Sequence, residues 1–181
     1  ILYYNMTVNT KALLLKMTLY GEADRIVTLF TPALGKVSAF AKGCPFLQPL
    51  SLIECNLSPG KKDLYRLKDP KLLEPYLSLR DQFAPLKAAL KLSDGIDRFL
   101  PSEIPKPHLF DLLLAYLGKL PSSKHPESFY YSFMLKTLQI EGFLDIEQLP
   151  VALLPLLTSR RWEEIDVEIG EKDLVSLETF W

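Results

Sequence analysis

A chain of 181 residues and 20.6 kDa, 48% apolar and 24% charged, is long enough to bury a core without staples and has the composition of an ordinary globular protein. Its two cysteines, Cys44 and Cys55, exclude a disulfide framework, no four Cys/His ligands lie close enough in sequence for a zinc site, and no apolar run reaches the ~20 residues of a membrane helix. The net charge of −1 and pI near 6.2, taken over the whole chain, argue against a nucleic-acid binder. The opening Ile1-Leu2-Tyr3-Tyr4-Asn5 lacks the basic flank of a signal peptide. A cytoplasmic protein of a reducing compartment, with no membrane association, is expected.

Taken in chain order, residues 10–17, 24–31, 36–42, 50–57 and 62–68 are short runs rich in Leu, Val, Ile and Phe. Turn formers punctuate them at Tyr20-Gly21, Thr31-Pro32, Leu34-Gly35, Gly43 with Pro45, and Pro59-Gly60. Five short strands at this spacing suit a small Greek-key barrel of OB type, in which closure removes the exposed sheet edges.

Beyond Pro70 the apolar spacing turns helical. A long pattern between Ser78 and Leu100 carries Pro85, which starts or kinks it. Pro107 suits a first helical position, with Gly118 as a left-handed cap. Pro126 opens another helix, with a broad apolar stripe of Phe129, Tyr130, Phe133, Met134, Leu138 and Ile140, ending at Gly142. Residues 149–157 are apolar enough to be buried, and the tail from Trp162 is acidic. The fold class expected is α+β: an OB-fold barrel over residues 1–76, then a helical domain over 77–181 with an acidic C-terminal segment.

The charge divides with the texture. Residues 1–70 hold nine Lys/Arg against five Asp/Glu, a net +4, and the remainder hold twelve against seventeen, a net −5. The neutral total therefore averages a basic strand-rich module with an acidic helical one.

Motifs for catalysis are absent: there is no glycine-rich phosphate loop, no Gly-x-Ser-x-Gly elbow and no His-Glu-x-x-His. His108 and His125 each adjoin a proline at a presumed helix start, where solvated residues are the rule. Glu163, Glu164, Asp166 and Glu168 form a charge run of the kind that makes a solvated face. Cys55 shares the strand parity of Ile53 and Leu57 and reads as core filler. No enzymatic activity, no cofactor and no metal are expected.

Strand parity supplies the sharpest clue to function. Along residues 36–42, Val37, Ala39 and Ala41 point one way and Lys36, Ser38, Phe40 and Lys42 the other. Small apolar residues suit the inside of a narrow barrel. The opposite face then offers ammonium groups flanking an aromatic ring, which suits a single strand whose phosphates follow cations and whose bases stack on rings. Lys62, Arg66 and Lys68 share a parity as well. The alternative is an ordinary solvated strand face with Phe40 covered by the helical part, and Phe40 discriminates between the two.

The run Tyr20-Gly21-Glu22-Ala23-Asp24-Arg25-Ile26-Val27-Thr28-Leu29-Phe30-Thr31, followed by Leu34-Gly35-Lys36-Val37, Ala41-Lys42-Gly43, Leu47-Gln48-Pro49-Leu50 and Asp63-Leu64-Tyr65-Arg66-Leu67, resembles the amino-terminal signature of the RecO family of bacterial recombination mediators. From Leu77 to about Gly142 the likeness thins to a similar pattern of helices. The resemblance implies a non-enzymatic DNA repair protein with an OB-fold and a helical domain. It implies binding of single- and double-stranded DNA, annealing of complementary strands, and work with RecR to load RecA onto DNA coated by SSB, whose acidic tail docks on the helical domain. Two departures stand out: only Cys44-Pro45-Phe46 lies between Gly43 and Leu47, where the family places a basic loop, and the family's four-cysteine zinc module has no counterpart.

The residues expected to grip the sugar-phosphate backbone are Lys16, Arg25, Lys36, Lys42, Lys62 and Arg66, with Phe40 stacking on a base. The expected partner contacts are Phe133, Lys136 and Ile140, because a helix offering apolar residues beside a lysine can hold an acidic, aromatic-ending peptide. A rival reading is an adaptor that keeps the barrel and the protein partners but not the DNA.

Overall fold

The structure is a computed structural model describing residues 6–61 and 63–178. Five strands, β1 (Val8–Tyr20), β2 (Asp24–Thr31), β3 (Gly35–Ala41), β4 (Leu52–Pro59) and β5 (Tyr65–Glu74), close into a barrel in the order β1-β2-β3-β5-β4. β3 and β5 run parallel, and the other neighbouring strands antiparallel. This is the OB-like closure expected from the five punctuated runs. Ala12, Leu14, Val27, Leu29, Val37, Ala39, Ala41, Ile53, Cys55, Leu57 and Leu67 fill it, so the small residues of β3 do face inward.

Two irregularities change the phase of the strands. Along β1, Ala12 and Leu14 face the core; the register then slips between Leu14 and Lys16, so Lys16 and Thr18 pair with the outward Thr28 and Ile26. In β5 the strand continues past Pro70, where the sequence pattern suggested a boundary. Lys68 pairs with Asn56 and Lys71 with Glu54, so the two residues Asp69 and Pro70 stand opposite the single residue Cys55 on β4, and Asp69 takes φ 50°. A proline without an N–H is accommodated at such a bulge, where the ladder is already interrupted.

Seven α-helices follow among the described residues: α1 (Leu77–Arg80), α2 (Phe83–Phe99), α3 (Pro107–Lys119), α4 (Pro126–Glu141), α5 (Leu154–Thr158), α6 (Trp162–Ile165) and α7 (Glu171–Glu178). Pro85 lies in the first turn of α2, Pro107 and Pro126 open α3 and α4, and Gly142 caps α4 at φ 77°. Gly118 is no cap. The helix runs through it to Lys119 and tightens into a 3-10 turn at Leu120–Ser122, because Leu117 and Leu120 are both drawn into the core.

The chain divides into two compact units, one made of the strands with Ser93–Leu114, the other of Ser78–Leu92 with the chain from Ala115 onward. Within the first, the end of α2 and the start of α3 cover one side of the barrel. Phe30 packs on Phe110, and the Ser93 hydroxyl donates to the Leu15 carbonyl. Within the second, Tyr116, Phe129, Phe133 and Trp162 form an aromatic cluster with ring centroids 5.0–5.9 Å apart. The acidic run contributes to this unit instead of forming only a solvated face. The Asp166 carboxylate accepts hydrogen bonds from the Ser123 hydroxyl (2.8 Å) and from the amides of Lys124 (3.0 Å) and His125 (2.7 Å), which ties the tail to the start of α4. Burial would push its carboxyl up, but these hydrogen bonds and the nearby His125 hold it below the ordinary value.

Candidate nucleic-acid interface

Cross-strand pairing defines a row on the outside of the barrel: Thr18 on β1, Ile26 on β2, Phe40 on β3 and Arg66 on β5. Neighbours opposite one another in a sheet share a face, so Lys16, Thr28 and Ser38 form the adjoining row. Phe40 is half-buried, and its ring stands edge-on to Tyr20 with centroids 5.7 Å apart. Tyr20 itself is 58% exposed. The pair is thus an aromatic platform at the surface, and the Phe40 ring is not enclosed by the core. Sequence reading missed Tyr20, whose place beside Gly21 made it look like a turn residue; the parity it shares with Thr18 after the β1 slip is what turns it outward.

Lys16, Lys42 and Arg66 are exposed around this platform, with no ion pair among the described residues. Lys42 follows directly on β3, where the Gly43 amide donates to Asp24 Oδ1 at 3.1 Å and so fixes the end of the strand. Arg25 has the inward parity of Val27 and lies at the barrel rim, where its guanidinium donates to the Asp24 carbonyl (2.9 Å) and its Nε is enclosed without a partner.

Lys36 belongs elsewhere. Its side chain is only 13% exposed; the ammonium donates to the Asp97 carbonyl near the end of α2 and lies 3.6 Å from the Asp97 carboxylate. A lysine there neutralises the negative end of the helix, which makes it a strut between β3 and α2 and takes it out of the grip. Lys62 lies outside the described residues.

The expected partner contacts separate too. Phe133 is fully buried among Tyr116 and its neighbours, so it supports α4 and presents nothing to a partner. Lys136 is half-buried: it donates to the Ser159 carbonyl at 2.7 Å, stands 5.6 Å from the Tyr116 ring centroid, and burial pushes its ammonium down. Ile140, at 57%, is exposed. Both cysteines are buried. Burial, then the Glu54 charge, push the Cys55 thiol up to about 12, and burial, then Asp24, raise that of Cys44, so neither is an activated nucleophile.

A family model described as recombination protein O, N terminal, matches residues 6–76, and one described as recombination protein O, C terminal, matches residues 81–144. The chain belongs to the RecO family. Among its relatives, the protein named DNA repair protein RecO of Chlamydia trachomatis serovar D is 35% identical over 133 residues, covering 68% of this chain and 54% of that one. The protein of the same name from Syntrophobacter fumaroxidans is 30% identical over 165 residues, covering 86% and 66%. That from Geobacter metallireducens is 33% identical over 142 residues, covering 74% and 58%. The chain thus spans about half to two thirds of the length of these RecO relatives. The matched barrel segment contains the aromatic platform and the cations around it. Among the described residues no helix is long and apolar enough to cross a membrane.

Proposed function

We propose that this RecO-family chain is a non-enzymatic DNA repair and recombination mediator. It binds DNA on the open face of the barrel, anneals complementary strands, and acts with RecR to help load RecA onto DNA coated by SSB. The observation that carries this reading is the outward Tyr20–Phe40 pair set in a cross-strand row with Arg66 and flanked by Lys16 and Lys42. Rings on a rigid sheet accept bases at ~1–3 kcal/mol each, and the surrounding cations hold the backbone. The helical unit, with exposed Ile140 on α4, is assigned to protein partners, among them the acidic SSB tail.

The test is titration of the chain with a labelled single strand at two salt concentrations. Three phosphate contacts on the open face, from Lys16, Lys42 and Arg66, give a slope of log affinity on log salt of about −2. Phe40→Ala should weaken binding by roughly tenfold or more, the loss of one stacked base. Salt-independent affinity, or full affinity in the combined Phe40→Ala, Lys16→Glu variant, would refute the open-face reading. Complete absence of DNA binding, with binding of an SSB-tail peptide retained, would favour the adaptor.

A further inference from the structure

The row at Phe40 does not end the positive surface of the barrel. Arg66 and Lys68 alternate with the inward Leu67, so both face outward. Simple alternation would then turn Lys71 inward. The bulge at Asp69-Pro70 inserts one residue, and Lys71 pairs with Glu54, which lies on the outer face together with Asn56. A cross-strand partner shares its neighbour's face, so a third cation joins the first two. Arg66 and Lys68 stand about 7 Å apart along the strand, and Lys71 follows about 7 Å further on, because the bulge fits its extra residue opposite the two-residue step from Asn56 to Glu54.

All three are exposed and have no ion pair or hydrogen bond among the described residues. The nearby carboxylates are Asp69, which accepts from Asn56 at 3.3 Å, and Glu54, which stands in register between Lys71 and Lys11 of β1. Past Leu67, β5 has no pairing with β3, so this half of the strand forms a ledge.

We infer that the bulged outer face of β5 is a rail for the nucleic-acid backbone, on which Arg66, Lys68 and Lys71 carry a strand away from the Tyr20–Phe40 platform toward β1 and Lys11. The inference rests on the open-face reading and extends it: the platform holds the first bases, and the rail holds the phosphates of the nucleotides that follow. A bulge of this kind commonly re-aims a side chain beside a site; here it lines up a third cation that regular pairing would turn toward the core.

The experiment uses the full chain, fluorescence anisotropy and two labelled oligothymidines, of about 5 and about 15 nucleotides, near the two ends of the range that one OB fold occupies. The combined Lys68→Glu, Lys71→Glu variant should weaken binding of the longer strand by about tenfold or more and reduce its salt slope by about 1.4, while binding of the shorter strand changes by less than about twofold. Glu54→Gln should tighten only the longer strand. Phe40→Ala should weaken both. Lys68 and Lys71 are exposed and Phe40 and Glu54 partly so, and an unchanged melting curve confirms that the variants fold. The rail is overturned if the double variant weakens both strands equally or neither, with Phe40→Ala still active against both. If the unaltered chain binds neither strand, the open-face reading falls and the rail with it.

Discussion

Replacing Gly35 by alanine tests how β3 is held against the chain that follows α2. Gly35 has φ 72°, and a Cβ built there would lie 2.1 Å from the Ile104 carbonyl oxygen and 2.6 Å from its carbon. Those atoms are backbone, so the segment must move, and with it the hydrogen bond from the Glu103 amide to the Lys36 carbonyl at 2.9 Å. Gly21 is the control: its φ is 71°, but nothing lies within 4 Å of its virtual Cβ. The left-handed conformation costs an alanine roughly 1–2 kcal/mol at either position. At Gly35 the overpacking adds roughly 1–3 kcal/mol and the strained hydrogen bond roughly another 1. The expected losses are about 1 kcal/mol for Gly21→Ala and about 4 kcal/mol for Gly35→Ala, or about 2–4 °C and about 8–16 °C in Tm for a chain of this size. Circular-dichroism melting at equal protein concentration reads both. Melting points within about 2 °C of each other would refute the close approach of Ile104 to β3.

Phe133→Ala should destabilise the helical unit by about 3–5 kcal/mol by opening a cavity among the aromatic rings, whereas Ile140→Ala should leave urea unfolding within about 0.5 kcal/mol of the unaltered chain; equal effects would contradict the burial of the first and the exposure of the second. Asp166→Ala should cost about 1 kcal/mol at neutral pH, as the loss of a helix cap does. Because folding lowers the Asp166 pKa, its contribution is present above the ordinary carboxylate range and is lost as pH falls through the lower folded value, so the gap in Tm between the two proteins should close below about pH 4. A gap that widens on acidification would reverse the sign of the argument.

The residues make plain why some of this was legible in advance. Alternation in residues 36–42 placed Val37, Ala39 and Ala41 in the barrel because a closed sheet of this size has room inside for small side chains. Pro107, Pro126 and Gly142 marked helix ends because each acts through its own backbone. Gly118 misled because a glycine within a helix costs only about 1 kcal/mol, and the burial of Leu117 and Leu120 outweighs that. Phe133 was misread for a related reason. The stripe on α4 is broad, and periodicity locates an apolar face without saying how much of it neighbouring elements cover.

The five-stranded barrel with helices after it, the inward face of β3, and the basic first part with its acidic remainder are legible along the chain because they depend on local periodicity, turn chemistry or composition, and the likeness to the RecO family is legible in an ordered run of residues from Tyr20 to Leu67. Which cations are free depends on contacts distant in the chain. Lys36 and Phe40 share a parity, yet Lys36 is taken up by Asp97, 61 residues away, while Phe40 meets Tyr20 at the surface. The slip after Leu14 and the bulge at Asp69-Pro70 likewise belong to pairing between strands. A single inserted residue reverses every side chain beyond it, so the outward set of lysines follows from the register of neighbouring strands and not from the spacing within any one of them.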